Sequence, residues 1–215
     1  MARQIYKNKE GKRLPGVTTI TGSELGWNKG VLIDWANKKG LEGCNTRELV
    51  DDLAEIGQIA HNLVLDEVRG TIFDKTQYAP AQIDRALKCL DSYKNWAKGK
   101  KIEAILTEAQ LISEVYQYGG TPDFYGKVDG VLTLTDYKTG KGIYDEFCVQ
   151  VCGGYLIALE ENGYKVEAVE ILNIPRTDGE SFQVLTIPIE KWDGWKKIYL
   201  NCLENYKLHR QLKGE

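Results

Sequence analysis

Two runs of β-branched, aromatic and aliphatic residues, 124–128 and 131–137, are separated only by Asp129-Gly130. A two-residue link of that kind adopts the left-handed backbone of a type I′ turn, which commits the flanking runs to an antiparallel hairpin. Side chains alternate faces along a strand, so Leu132, Leu134, Asp136 and Lys138 point the same way. Sheet packing does not call for an apolar face that ends in an acid and an amine. A second carboxylate, Asp123, stands thirteen positions before Asp136, and the hairpin makes the path between them short. A bound metal or phosphate accounts for this grouping. Taken singly, the residues keep other roles open: an exposed ion pair for Asp136 and Lys138, and a turn after Thr121-Pro122 for Asp123.

Around this hairpin the apolar periodicity predicts helices over 31–40, 46–69 and 80–98, with Gly26, Gly43 and Gly70 as breaks. Residues 102–138 read as three strands joined by turns. A helix over 145–162 ends at Asn162-Gly163. Strands over 166–174 and 181–187 follow, and a long helix covers 190–212. This order predicts a mixed central sheet flanked by helices, an α/β or α+β layer structure. The expectation is a single domain over 1–215, mostly helical in 1–100, with the sheet and catalytic core in 101–215.

Composition sets further bounds. A chain of 215 residues, 42% apolar and 27% charged, is large enough to bury a real core. No stretch approaches the about 20 apolar residues that span a bilayer, so no membrane partner is expected. The basic amino terminus lacks the apolar segment of a signal peptide. Five cysteines, scattered and without CxxC, point to reduced thiols and a cytoplasmic setting. The net charge of −3 argues against a surface tuned throughout to nucleic acid, but leaves room for a local basic patch.

The pattern GTPD, thirteen positions, then DYKTG resembles the PD-(D/E)xK nuclease superfamily, in particular its RecB-like and phage-type exonuclease branch. The resemblance extends over most of residues 14–161. It implies a central sheet of the restriction-endonuclease kind and a metal-dependent DNA exonuclease acting in recombination, replication or repair. The alternatives are an endonuclease with the same site and a catalytically silent DNA-binding relative. Hard oxygen ligands with one imidazole suit Mg2+ or Mn2+, with a two-ion site in view, better than zinc.

By this resemblance Asp123, Asp136, Lys138 and Glu108 are catalytic. His61, Asp123, Asp136 and the carbonyl of Tyr137 hold the metal. Gly57 and His61 match the G-x-x-x-H helix of RecB-like nucleases. Glu114 competes with Glu108 for the glutamate of the first meander strand, and His209 matches nothing. The family also carries a glutamine and, four residues on, a tyrosine. Here Gln150 and Tyr155 are five apart, which turns them away from each other on a regular helix unless a π-bulge at Gly153-Gly154 realigns them. Segment 14–42 resembles a phage-exonuclease region in which a P-x-V-T-T-I turn leads to a helix bearing a tryptophan. Thr18, Thr19, Trp35 and Lys38 are therefore candidate DNA contacts alongside Gln150 and Tyr155. A core position for Trp35, on a stripe with Leu32 and Ile33, is the other reading. One branch carries an iron–sulfur cluster held by four cysteines, three of them close together. That tight triplet is missing here, and no iron–sulfur cluster is expected. Linear DNA with an end is the expected partner. A recombination or helicase partner follows by analogy alone, and the oligomeric state stays open.

Overall fold

A computed structural model of the chain describes residues 4–177 and 179–214. A short hairpin, β1 (Tyr6–Lys7) with β2 (Arg13–Leu14), precedes four helices: α1 (Val17–Glu24), α2 (Lys29–Leu41), α3 (Thr46–Arg69) and α4 (Pro80–Ala97). Five strands follow: β3 (Ile102–Thr107), β4 (Leu111–Ser113), β5 (Tyr118–Gly120), β6 (Phe124–Val128) and β7 (Val131–Thr139). The helical crossover comprises α5 (Asp145–Cys148), a π-helical stretch over Val149–Tyr155, and α6 (Leu156–Glu161). It leads to β8 (Ala168–Ile174), β9 (Gln183–Thr186) and the terminal α7 (Trp192–Leu212).

The central sheet has the order β3-β6-β7-β8-β9. Only β7 and β8 run parallel, as a helical crossover between neighbours requires, and the other pairs are antiparallel. This is the expected mixed sheet between helices. Each face has its own core. Leu134, Val169, Ile171 and Tyr125 pack under the crossover, α1 and α7, while Phe124, Tyr137, Leu172 and Ile174 pack under α3 and α4. In β7 the residues from Thr133 to Tyr137 are buried whichever face they point to, as a strand covered on both sides requires. The hairpin forms as expected, with Asp129 at φ 51° and Gly130 at φ 87°, and Val128 paired with Val131.

Helix α3 carries its own boundary signals. Asn45 Oδ1 accepts from the Arg47 amide at 3.1 Å to cap the start, and Gly70 ends it in the left-handed conformation at φ 69°. Its stripe of Ile56, Ile59, Ala60, Leu63 and Val64 is fully or almost fully buried.

Several expectations fail. The meander over 102–138 is two units, because β4 and β5 pair with each other outside the central sheet. The turn expected over 15–20 passes into α1 from Val17 on, and the β1–β2 hairpin has strands too short for an alternation signal in the sequence. The stripe proposed for α2 is not a core face. Leu32 and Ile33 are 58% and 67% exposed, Trp35 is half-buried and Lys38 is exposed. Apolar residues surround α2 instead of lining one side of it, so no single orientation can bury them all. Among the described residues, no helix is long and apolar enough to cross a membrane. The five cysteines are free, with Cys44 exposed and the rest buried.

Candidate active site

Antiparallel pairing places the start of β6 beside the end of β7, so Asp123 and Asp136 meet at one end of the sheet. Asp123 Oδ2 accepts from the Tyr137 backbone amide at 2.7 Å, which locks the first carboxylate onto the strand that carries the second. Its other oxygen, Oδ1, lies 2.9 Å from His61 Nε2. His61 reaches it from α3, and Gly57 lets the helix come close enough. A methyl group at position 57 would stand 2.7 Å from Thr139 Oγ1 at the end of β7. The glycine thus sets the approach of helix to strand, and the imidazole lies one turn further on.

Asp136 is 1% exposed, and Lys138 Nζ stands 2.7 Å from its Oδ2. The ammonium is the partner of Asp136 Oδ2, and its direction is far from that of an ideal hydrogen bond. Lys138 Nζ also donates to Gln150 Oε1 at 3.4 Å and lies 5.1 Å from the centroid of the Phe147 ring. These contacts put Lys138 on the crossover face of β7, the face expected from strand alternation.

The crossover resolves the irregular Gln150–Tyr155 spacing. Its π-helical turn spans Val149–Tyr155, and Gln150 Nε2 donates to Tyr155 Oη at 2.8 Å. A five-residue turn brings residues five apart into register, as a four-residue separation does on an α-helix. Gly153 and Gly154 give the bulge room. Side-chain carbons there would meet Tyr199 Cβ at 2.5 Å and Val17 Cγ1 at 2.5 Å, so α7 and α1 press directly on the glycine backbone.

Glu108 lies just past the end of β3 and not within it, with φ 49°. Its amide donates to the Asp123 carbonyl at 3.1 Å, and its Oε1 is 3.6 Å from His61 Nδ1. Glu114 is excluded from this cluster, since its Oε1 accepts from the Lys9 amide at 2.8 Å and so ties the amino-terminal hairpin to the β4–β5 hairpin. His209 is exposed on α7.

A cleft of about 430 Å³ opens over the cluster. Gln4, Tyr6 and Thr18 line it together with Gly57, Gln58, His61, Glu108, Thr121, Asp123 and Tyr155. Of the DNA-contact candidates, Thr18 and Tyr155 line this cleft, and Gln150 borders it through Tyr155. Thr19, Trp35 and Lys38 do not line it. Sequence reasoning missed Gln4, Tyr6, Gln58 and Thr121. Tyr6 Oη is within 2.9 Å of Gln4 Oε1 and 3.0 Å of Thr121 Oγ1, and the Tyr6 ring lies over Gly119, where any side chain would collide with it. The glycine pair in GGTPD was the available signal.

The electrostatics follow from four titratable groups crowded into a buried place. Burial pushes the Asp136 carboxyl up to about 6, with Asp123 adding repulsion and Lys138 only partly offsetting both. Burial opposes ionisation of Asp123 as well, but His61, Lys138 and the Tyr137 amide outweigh it and hold that acid below its ordinary value. Burial opposes charge on His61, yet Asp123, Glu108 and Asp136 together raise its pKa. Lys138 is likewise raised, because Asp136 and Asp123 overcome its desolvation. Two neighbouring carboxylates are thus driven apart in pKa, as happens when like charges share a site.

Among the described residues, no three His, Cys, Asp or Glu side chains already stand in ligand geometry for a metal ion. The donor chemistry nevertheless fits a hard divalent cation. His61 Nδ1 is buried without a hydrogen-bond partner, Asp136 Oδ2 is buried with only the Lys138 ammonium beside it, and Asp123 and Glu108 add carboxylate oxygens. A cation bound between Asp123 and Asp136 would relieve the repulsion between them.

No protein-family model and no curated protein sequence matches the chain. Among solved structures, it is similar to a candidate exonuclease from Eubacterium rectale, with TM-score 0.47 and 12% identity over 74% of this chain and 68% of that one. It is also similar to an alkaline exonuclease from Laribacter hongkongensis, with TM-score 0.34 and 14% identity over 75% of this chain and 90% of that one. The same enzyme in complex with dAMP matches at 15% identity, with TM-score 0.34, over 70% of this chain and 80% of that one.

Proposed function

We propose that the chain is a divalent-metal-dependent deoxyribonuclease that degrades linear DNA from an end. One observation carries this reading: His61 from a helix and Asp123 from the sheet line one cleft in contact with each other, and Asp123 is bonded to the strand that carries the Asp136–Lys138 pair. Folding does not require that convergence, since a buried acid with a pKa near 6 weakens the native state.

Phosphodiester hydrolysis needs an activated water and neutralisation of charge on the phosphate and the departing oxygen. A divalent cation, Mg2+ or Mn2+, supplies both when bound. Asp123, Asp136 and His61 would hold it, with the Tyr137 carbonyl and Glu108 completing the shell. Lys138 keeps its ammonium charged at neutral pH and delivers it to the phosphate or to the attacking water. Gln150 steadies Lys138, and Tyr155 fixes the Gln150 amide so that its oxygen faces the ammonium. Thr18 in the cleft supplies a hydroxyl to the strand being cut. Thr19, Trp35 and Lys38, further out, are assigned to contacts with the rest of the DNA.

The test is digestion of end-labelled linear DNA and matched circles with Mg2+ or Mn2+, with Lys138→Ala as control. Loss of label from linear DNA alone supports the reading. Cutting of circles turns it into an endonuclease, and binding without cutting in either metal refutes catalysis.

A further inference from the structure

Arg69 is the last residue of α3, two turns beyond His61, and takes no part in the site described above. Its guanidinium makes three hydrogen bonds to one short segment. Nε donates to Thr107 Oγ1 at 2.7 Å, while Nη2 donates to the Thr107 carbonyl at 3.0 Å and to Glu108 Oε2 at 3.2 Å. Glu108 is one of three non-glycine residues with positive φ among the described residues. The other two, Gln117 and Asp129, sit in the turns of tight hairpins, where that conformation is required. Glu108 does not close a tight hairpin, so its backbone is held by its surroundings.

The geometry points to Arg69 as a positioning residue for Glu108; this rests on the nuclease reading above. One carboxylate oxygen is bound to the guanidinium, and the other, Oε1, is thereby turned toward His61 Nδ1 at 3.6 Å. Helix α3 therefore serves the site twice, with His61 as a direct participant and with Arg69 as the clamp on a residue from another element. A planar fork with several donors can engage Thr107 and Glu108 together, which a lysine ammonium cannot do in the same geometry. Oriented outer partners of this type typically change metal affinity by about 10- to 100-fold when removed.

The experiment is calorimetric titration of the metal-free protein with Mn2+, beside Mn2+-dependent cleavage of linear DNA. It compares wild type, Arg69→Lys, Arg69→Ala, Glu108→Gln and the Arg69→Ala/Glu108→Gln double variant. Urea unfolding of each separates lost folding from lost positioning. Arg69→Ala and Arg69→Lys are expected to raise the Mn2+ Kd about tenfold or more. In the Glu108→Gln background, Arg69→Ala is expected to change it no further, since the two residues act as one unit. Two results overturn the assignment: Arg69→Lys binding Mn2+ like wild type, or Arg69→Ala weakening binding by the same factor with and without Glu108. A wild-type protein that takes up no Mn2+ and cuts no DNA removes the nuclease reading itself. A wild type that does both, with unchanged Arg69 variants, removes only the positioning role.

Discussion

Asp136→Asn separates the folding role of the site from its catalytic one. Asp136 is 1% exposed, and its carboxyl is pushed from 3.8 up to about 6, mainly by burial and next by the charge of Asp123. A carboxyl whose pKa is raised on folding binds its proton more tightly in the native state than in the unfolded chain. Its stabilising contribution is therefore complete below about pH 4 and is lost as pH rises through 6. The difference, 6 − 3.8, is about 2 units, or about 3 kcal/mol over that window. Asparagine keeps the shape and removes the titration. In EDTA, wild type should lose about 3 kcal/mol relative to Asp136→Asn between pH 4 and pH 7.5. The difference reports position 136 together with its charge coupling to Asp123, His61 and Lys138, whose own titrations shift when the Asp136 charge is removed. The assay is urea unfolding of both proteins at four pH values across the window, followed by a repeat at pH 7.5 with Mn2+, which should restore wild type but not the variant. A flat difference, or a wild type that gains on the variant as pH rises, refutes the reasoning. Asp136 would then be an ordinary ion-pair partner of Lys138.

Lys138→Ala is expected to lower the cleavage rate by about 100-fold or more, because it removes a charge aimed at the reacting phosphate, while an electrophoretic shift with linear DNA stays measurable. Gly57→Ala should force α3 away from Thr139 and loosen the His61–Asp123 contact, reducing cleavage. Adding Thr139→Ala should restore most of the cleavage, and a double variant as poor as the single one would count against the close approach. Gly153→Ala would set its new carbon against Tyr199 Cβ at 2.5 Å and the Trp195 carbonyl at 2.9 Å. It should destabilise the fold by about 1–3 kcal/mol in urea unfolding, as overpacking does. Tyr155→Phe should leave the π-helical turn in place but release the Gln150 amide, slowing cleavage more than it weakens DNA binding.

Much of this arrangement is legible in the chain itself, for local reasons. Asp129-Gly130 specifies the hairpin by backbone conformation, and strand alternation then sends Asp136 and Lys138 to the same face. Gly70 ends α3 where the sequence places a break, and the Gln150–Tyr155 interval, one residue longer than in the family the chain resembles, raises a π-bulge at Gly153-Gly154 as one way to realign the pair. These features depend on residues close in sequence. The tertiary structure alone decided the rest. Gly57 acquires meaning only because Thr139, far along the chain, is packed against it. Arg69 clamps Glu108 across 39 positions of sequence. Tyr6 reaches the cleft because Gly119 leaves space for its ring, and Leu32 and Ile33 stay exposed because the apolar residues of α2 ring the helix and cannot all face its neighbours. Turn chemistry and periodicity are written in short range, whereas close approach, burial and orphaned polar atoms arise from which distant surfaces meet.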